Sequence, residues 1–188
     1  ALPHGATICT SSPRRSPQLL RLRPDLKLTL LRGNVGTRLG KIAGGDADAT
    51  LLAAAGLDRL GMHDTGHAIP VEVMLPAPSQ GAVGLEVRAE DAHVRALVSA
   101  VNHEATCRCV EAERELLAEL GGDCRSPIAA LATVEGGGAM RLRATLYAID
   151  GSDAVSGDVL IDGAMTPAAL ARALLDRAAP DVRRLFAG

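Results

Sequence analysis

LRGNVGTRL, residues 31–39, separates two patterned stretches, and its reading decides the architecture of the first third of the chain. Before it, residues 27–31 form a short apolar run with strand character; after it, residues 35–43 have helical spacing. Gly33, Asn34 and Gly36 let the backbone turn tightly and approach a ligand, and Arg32 and Arg38 flank the turn. No GKS or GKT follows, so this is not a phosphate-binding P-loop, and the glycine spacing is not GxGxxG. Upstream the pattern repeats: an apolar run at 6–10, TSSPRR at 10–15, and helical spacing across 13–22 at Leu19, Leu20 and Leu22. Downstream, residues 50–54 read as a buried apolar strand and 57–60 as a short helix. Strands alternating with helices at this spacing predict a parallel sheet with helices on its faces.

Both turns concentrate anion-binding groups. Ser12 fits a helix N-cap and Pro13 the first helical position, which places Arg14 and Arg15 in the first turn. The helix dipole already presents positive charge there, so each cation costs about 0.3–1 kcal/mol. A bound anion reverses the sign of that effect; otherwise the pair are solvated surface arginines. Arg59, in AAAGLDRLG at 53–61, follows a third strand at the same edge of the sheet. Ligands of open parallel sheets bind at the carboxyl ends of strands, and the planar guanidinium fork suits carboxylates. Residues 11–41 hold eight Arg or Lys against Asp25 alone, a net +7 in a chain whose total is −2. A local basic patch on an acidic chain implies an anionic ligand. Nucleic acid is disfavoured, because Tyr147 and Phe186 are the whole aromatic complement and both lie far from the patch.

The rest of the chain changes character. LPAPSQ, residues 75–80, reads as a proline-rich crossing segment. Residues 82–88 follow as a strand and 91–101 as a helix with Val94, Leu97, Val98 and Val101 on one stripe. A longer helix spans 103–120 and is stopped by Gly121 and Gly122. Strands are expected at 127–134, 140–149 and 155–161, joined by EGGGA and DGSD hairpin turns. In the middle strand Met140, Leu142, Ala144, Leu146 and Ala148 alternate with Arg141, Arg143, Thr145 and Tyr147, predicting one buried and one wet face. Thr166 as N-cap and Pro167 at the first position open a helix that faces inward through Leu170, Leu174 and Leu175. The pattern is a small α+β domain with an antiparallel three-stranded sheet.

Cys9 lies in an apolar strand, and Cys107 and Cys109 lie in a helix; packing accounts for all three. Cys124 stands in LGGDCRSPI, in a tight loop between helix-stopping glycines and a proline. Arg125 beside it favours a nucleophilic thiolate and Asp123 opposes it. The cysteine and histidine spacing supports no disulfide framework and no metal site. His63, His67, His93 and His103 are scattered, and no Ser–His–Asp pattern is legible. Asp46, Asp48, Glu90 and Asp91 read as surface turns and caps. No apolar run reaches the roughly 18 residues a membrane helix needs. With no signal peptide and unpaired cysteines, the expected compartment is the cytoplasm.

Together, TSSPRR, RPDL, LRGNVGTRL, AAAGLDRLG, LPAPSQGAVGLEVR, NHEAT, ERELL and LGGDCRSPI resemble, in order and over nearly the whole chain, the hydroxymethylbilane synthase (porphobilinogen deaminase) family. LRGNVGTRL and the loop around Cys124 are the most specific pieces. Cys9 replaces the family's usual Gly before TSS, and Ser79 stands where Gly is frequent. The resemblance implies an α/β periplasmic-binding-protein-like domain (parallel or mixed sheet with flanking helices) followed by a small α+β domain with a three-stranded antiparallel sheet. Residues 1–75 correspond to domain two without its first strand, 76–101 to a hinge and a segment returning to domain one, and 102–188 to the cofactor-attachment domain. It implies the tetrapolymerisation of porphobilinogen to linear hydroxymethylbilane, with ammonia release, on one covalent dipyrromethane per chain. Cys124 would carry that cofactor through a thioether; Ser12, Arg14, Arg15, Arg32, Arg38 and Arg59 would bind carboxylates of the cofactor and growing polypyrrole. The family's catalytic aspartate corresponds to no residue here, so the resemblance implies a fragment, inactive alone, of a monomeric cytoplasmic transferase without metal, nucleic-acid or membrane partners. A carboxylate-binding module of the periplasmic type, without catalysis, is the alternative; a cysteine hydrolase would need a His beside the thiol.

Overall fold

The computed structural model describes residues 2–186. The first unit is built on a three-stranded parallel sheet. Strand β1 (Thr7–Cys9) is central, flanked by β2 (Lys27–Thr29) and β3 (Ala49–Thr50), with Ile8 in register with Leu28 and Ala49. Helix α1 (Arg15–Leu22) links β1 to β2, and α2 (Val35–Ala43) links β2 to β3. Successive strand residues point to opposite faces, and β1 uses both. Ile8 packs with Ala6, Leu19 and Leu26 under α1, whereas Cys9 packs with Leu31 and Ala47 against Ile42 of α2.

The parallel α/β reading is correct, but its strands are shorter than expected. β3 ends at Thr50, and α3 (Ala54–Arg59) begins where the longer strand was placed. Asp48 is also more than a turn residue: its carboxylate accepts the Thr7 amide at 2.7 Å while its own amide donates to Thr7 O at 2.9 Å, extending the sheet edge.

The C-terminal unit follows the expected pattern. α5 (Glu104–Glu119) leads into antiparallel β4 (Ile128–Val134), β5 (Met140–Tyr147) and β6 (Ala154–Ile161), in the order β4-β5-β6. Helices α6 (Pro167–Arg177) and α7 (Pro180–Arg183) close the core. Leu116, Leu120, Ile128, Leu142, Leu146, Leu174 and Val182 are fully buried in one cluster with Phe186 at its rim. Thr166 caps α6 by accepting the Ala169 amide at 3.1 Å, as its place before Pro167 predicted. The wet face of β5 needs correction at one end: Thr145 and Tyr147 are buried. The Thr145 hydroxyl is 2.9 Å from that of Ser156 on β6, and the turn after β5 lies against α1, where Arg21 donates to Gly151 O at 3.2 Å.

The predicted strand at 82–88 does not form. The segment has no regular structure, with Val83 91% and Leu85 60% exposed. Its alternation of Val83, Leu85 and Val87 suits a strand, but strand geometry persists only where a neighbour satisfies its amides and carbonyls. Among the described residues no strand lies beside it. Helix α4 (Ala92–Ser99) does form, capped by Asp91 accepting the Val94 amide at 2.9 Å, with Leu97 exposed.

Candidate functional site

The start of α1 organises the site. Thr10 Oγ1 accepts the Ser12 amide at 3.2 Å, and Ser12 Oγ accepts the Arg15 amide at 3.4 Å. Regular helix begins at Arg15, two residues later than Pro13, so Ser12 holds the entry turn rather than a strict cap position. This entry directs Arg14 and Arg15 differently. Arg14 Nη1 donates to the carbonyl of Cys124 at 3.0 Å, and Arg15 Nη1 donates to the carbonyl of Leu51 at 3.2 Å.

Residues 31–39 contribute the third guanidinium. Asn34 caps α2, its Oδ1 accepting the Thr37 amide at 2.9 Å and the Thr37 hydroxyl at 3.0 Å. Gly33 has φ +118°, and a Cβ there would lie 2.8 Å from Thr37 Cγ2, so the turn requires glycine. Arg38 then folds back, donating from Nε to Gly33 O at 3.0 Å.

Ser12, Arg14, Arg15 and Arg38 line a cavity of about 710 Å³ with apolar walls that include Leu51 and Met74. Ser11 lines it too, a residue the sequence reading passed over. Among the described residues, none of these three arginines has a carboxylate partner. Burial pushes the Arg15 guanidinium below its ordinary value, and the positive charges of Arg14 and Arg38 add to that. Burial also lowers Arg14, opposed by Cys124. Like charges crowded without counterions favour an anion. Asp58 lines the same cavity, with its carboxylate 3.3 Å from His63 Nδ1. Arg32 and Arg59 are exposed and stand outside the lining.

Residues 1–96 match the family model described as porphobilinogen deaminase, dipyromethane cofactor binding domain, and residues 107–178 match that of the porphobilinogen deaminase C-terminal domain. The chain belongs to the porphobilinogen deaminase family. It is 59% identical over 186 residues to the porphobilinogen deaminase of Sphingopyxis alaskensis, covering 99% of this chain and 59% of that protein. With the porphobilinogen deaminase of Paracoccus denitrificans it shares 45% over 184 residues, 96% of this chain and 58% of the relative. With that of Corynebacterium glutamicum it shares 43% over 166 residues, 87% and 55% respectively. The chain thus spans little more than half the length of these porphobilinogen deaminases.

Cys124 is exposed in the loop after α5, outside the 1–96 match. Its sequence neighbours are engaged with each other. Asp123 accepts the Arg125 amide at 2.7 Å and Arg125 Nε at 3.1 Å, and its amide donates to Ser126 Oγ at 2.8 Å. These bonds hold the Asp123 carboxyl below the usual range. Arg125 is thus engaged by Asp123, the residue that the sequence reading set against it. The cation reaching the Cys124 backbone is Arg14, 110 residues away. Cys9 is buried, and Cys109 packs against the C-terminal core, as read. Cys107 is half-buried, with its thiol donating to Glu111 Oε1 at 3.4 Å.

Proposed function

We propose that this chain supplies the carboxylate-binding and cofactor-bearing part of a porphobilinogen-polymerising transferase. The observation that carries the reading is the cavity where Arg14, Arg15 and Arg38 converge without carboxylate partners among the described residues, with Arg14 bonded to the backbone of the exposed Cys124. Pyrroles bearing acetate and propionate groups suit that donor set, because each guanidinium can bind both oxygens of a carboxylate. A dipyrromethane fits the same residues: Cys124 would hold it by a thioether, and Ser12, Arg14, Arg15 and Arg38 would bind its carboxylates. When bound, it would supply the primer to which further porphobilinogen units are joined, giving hydroxymethylbilane with loss of ammonia.

The chain's own residues act by charge and placement. Arg14 joins the two units and orders the Cys124 loop; Arg15 and Arg38 neutralise the anion; apolar neighbours such as Leu51 and Met74 lower the local dielectric and strengthen those contacts. Arg32 and Arg59, outside the cavity, are read as contacts for a longer polypyrrole. Residues 1–75 are read as a domain of the periplasmic-binding-protein type, 76–101 as hinge and crossing segment, and 102–188 as the attachment domain. None of the described helices is long and apolar enough to cross a membrane; we assign the protein to the cytoplasm, acting as a monomer.

Intact-mass and peptide mapping of natively expressed protein test the reading. A two-pyrrole adduct on Cys124, absent from Cys124→Ser, is the expected result. An adduct on Cys9, Cys107 or Cys109 would contradict the attachment. A mass without adduct, combined with retained porphobilinogen binding, would instead favour a carboxylate-binding module.

A further inference from the structure

Glu113 lies on α5 with 5% of its surface exposed and no cationic partner among the described residues. Both carboxylate oxygens are used. Oε1 accepts the Ala132 amide of β4 at 2.8 Å, and Oε2 accepts the Ser79 amide at 2.5 Å. One side chain therefore joins helix, sheet and the proline-rich segment between the units. The same segment is fastened to β4 by the Ala130 amide donating to Pro76 O at 3.0 Å.

Ser79 shows that this placement is imposed from outside. Its φ is +60°, a conformation unfavourable for a non-glycine residue, and its hydroxyl is buried without a partner among the described residues. Neither feature serves Ser79 itself. Both follow if its amide must point at Glu113.

From Ser79 the connection continues to the arginines. The Leu75 amide donates to Gln18 Oε1 at 2.9 Å, and Gln18 Nε2 donates to Leu75 O at 3.1 Å and to Arg14 O at 3.1 Å. Gln18 is buried on α1. Arg14 reaches back to Cys124 in the loop that follows α5. The contacts close a ring: α5, Ser79, Leu75, α1, Cys124 and α5 again. We propose that Glu113 and Gln18 are positioning residues which, through the 75–79 segment, set where the arginine end of α1 stands against the cysteine loop. The consequence for ligand binding rests on the carboxylate reading above; the positioning itself does not.

Glu113→Gln is a near-isosteric test. A carboxylate can accept from two amides, but a carboxamide accepts through one oxygen and turns its NH₂ toward the other donor. Amide residual dipolar couplings of the 19.4 kDa protein report the mutual orientation of β1, β2 and α1 against β4–β6. The expected result is one alignment tensor for both units in the wild type and its loss in Glu113→Gln, each unit then fitting its own. Leu174→Ala, which weakens the C-terminal core without touching the ring, keeps the shared tensor. A folded Glu113→Gln protein with one shared tensor overturns the proposal. Should that variant not fold, Gln18→Leu breaks the ring outside the C-terminal core: a shared tensor overturns the proposal and separate tensors support it. Titration of the wild type with porphobilinogen is read separately. No shifts at Arg14 and Arg15 would defeat the carboxylate reading, while the tensors still judge Glu113.

Discussion

At single residues, placement of charge and of backbone conformation governs what the chain tolerates. Arg15 sits half-buried among like charges with one backbone acceptor, so an incoming carboxylate relieves repulsion as well as forming bonds. On the carboxylate reading proposed above, Arg15→Lys keeps the charge and loses the fork; porphobilinogen affinity is expected to fall roughly 10- to 150-fold, as the roughly 1.5–3 kcal/mol of hydrogen bonds to charged groups implies. Isothermal titration at two salt concentrations checks this, and affinity independent of salt would argue against a charged site. Ser79 gives a prediction of opposite sign. Glycine at φ +60° avoids the left-handed penalty of about 1–2 kcal/mol and removes a buried hydroxyl without a partner. Ser79→Gly is therefore expected to raise the melting temperature; an unchanged or lowered Tm would show that the hydroxyl has a partner in solution.

At the level of elements, carboxylates in both units set the pH response. Arg23 lowers the Asp25 carboxyl, Arg141 lowers Asp158, and the Met165 and Ala164 amides lower Asp162. Their stabilisation is present above the unfolded Asp range, roughly 4, and is lost as pH falls through the lowered values. Glu113 has the opposite sign. Burial raises its carboxyl despite the Ala132 and Ser79 bonds, so its contribution is greatest below the ordinary Glu range and is lost as pH rises through the raised value. A plot of Tm against pH should therefore decline on both sides, and Glu113→Gln should flatten only the less acidic limb. If that limb is unchanged, another group causes it. The irregular segment behaves differently again. Between the turn bond from Ala82 to Ser79 O and that from Asp91 to Arg88 O, residues 83–88 make no backbone hydrogen bonds, among the described residues, with one another or with a strand. Their amides are expected to exchange at nearly unstructured rates while those of Leu142 and Leu146 are protected; protection at 83–88 would reveal a partner strand in solution.

Across the whole molecule, the two units meet at points that sequence spacing does not reveal. Gly151, at φ +74°, approaches α1 so closely that a Cβ would lie 2.8 Å from Pro17 O. Gly151→Ala is expected to destabilise by at least the 1–2 kcal/mol of left-handed strain, and denaturant titration measures it. Ala at an exposed turn glycine of positive φ, Gly137, carries the strain alone, and an equal loss there would mean that the contact with α1 contributes nothing.

Local patterning sufficed for the parallel α/β start, the antiparallel α+β end, the caps at Thr166 and Asp91, and the two arginine-bearing turns. These depend on periodicity, on N-cap chemistry and on glycine at a strand–helix junction, all encoded within a few neighbours. The resemblance grouped Ser12, Arg14, Arg15, Arg32, Arg38 and Arg59 with Cys124; only the fold reveals that Ser12, Arg14, Arg15 and Arg38 share one cavity, that Arg32 and Arg59 stand outside it, and that Arg14 bonds the Cys124 carbonyl while Arg125 is taken up by Asp123. Burial of Thr145 and Tyr147, the closure of the ring through Glu113 and Gln18, and the unpaired state of 82–88 were likewise decided by tertiary structure. Each depends on which surfaces meet. An alternating strand pattern states what a segment prefers once it is paired, but pairing needs a second strand whose position no local pattern contains.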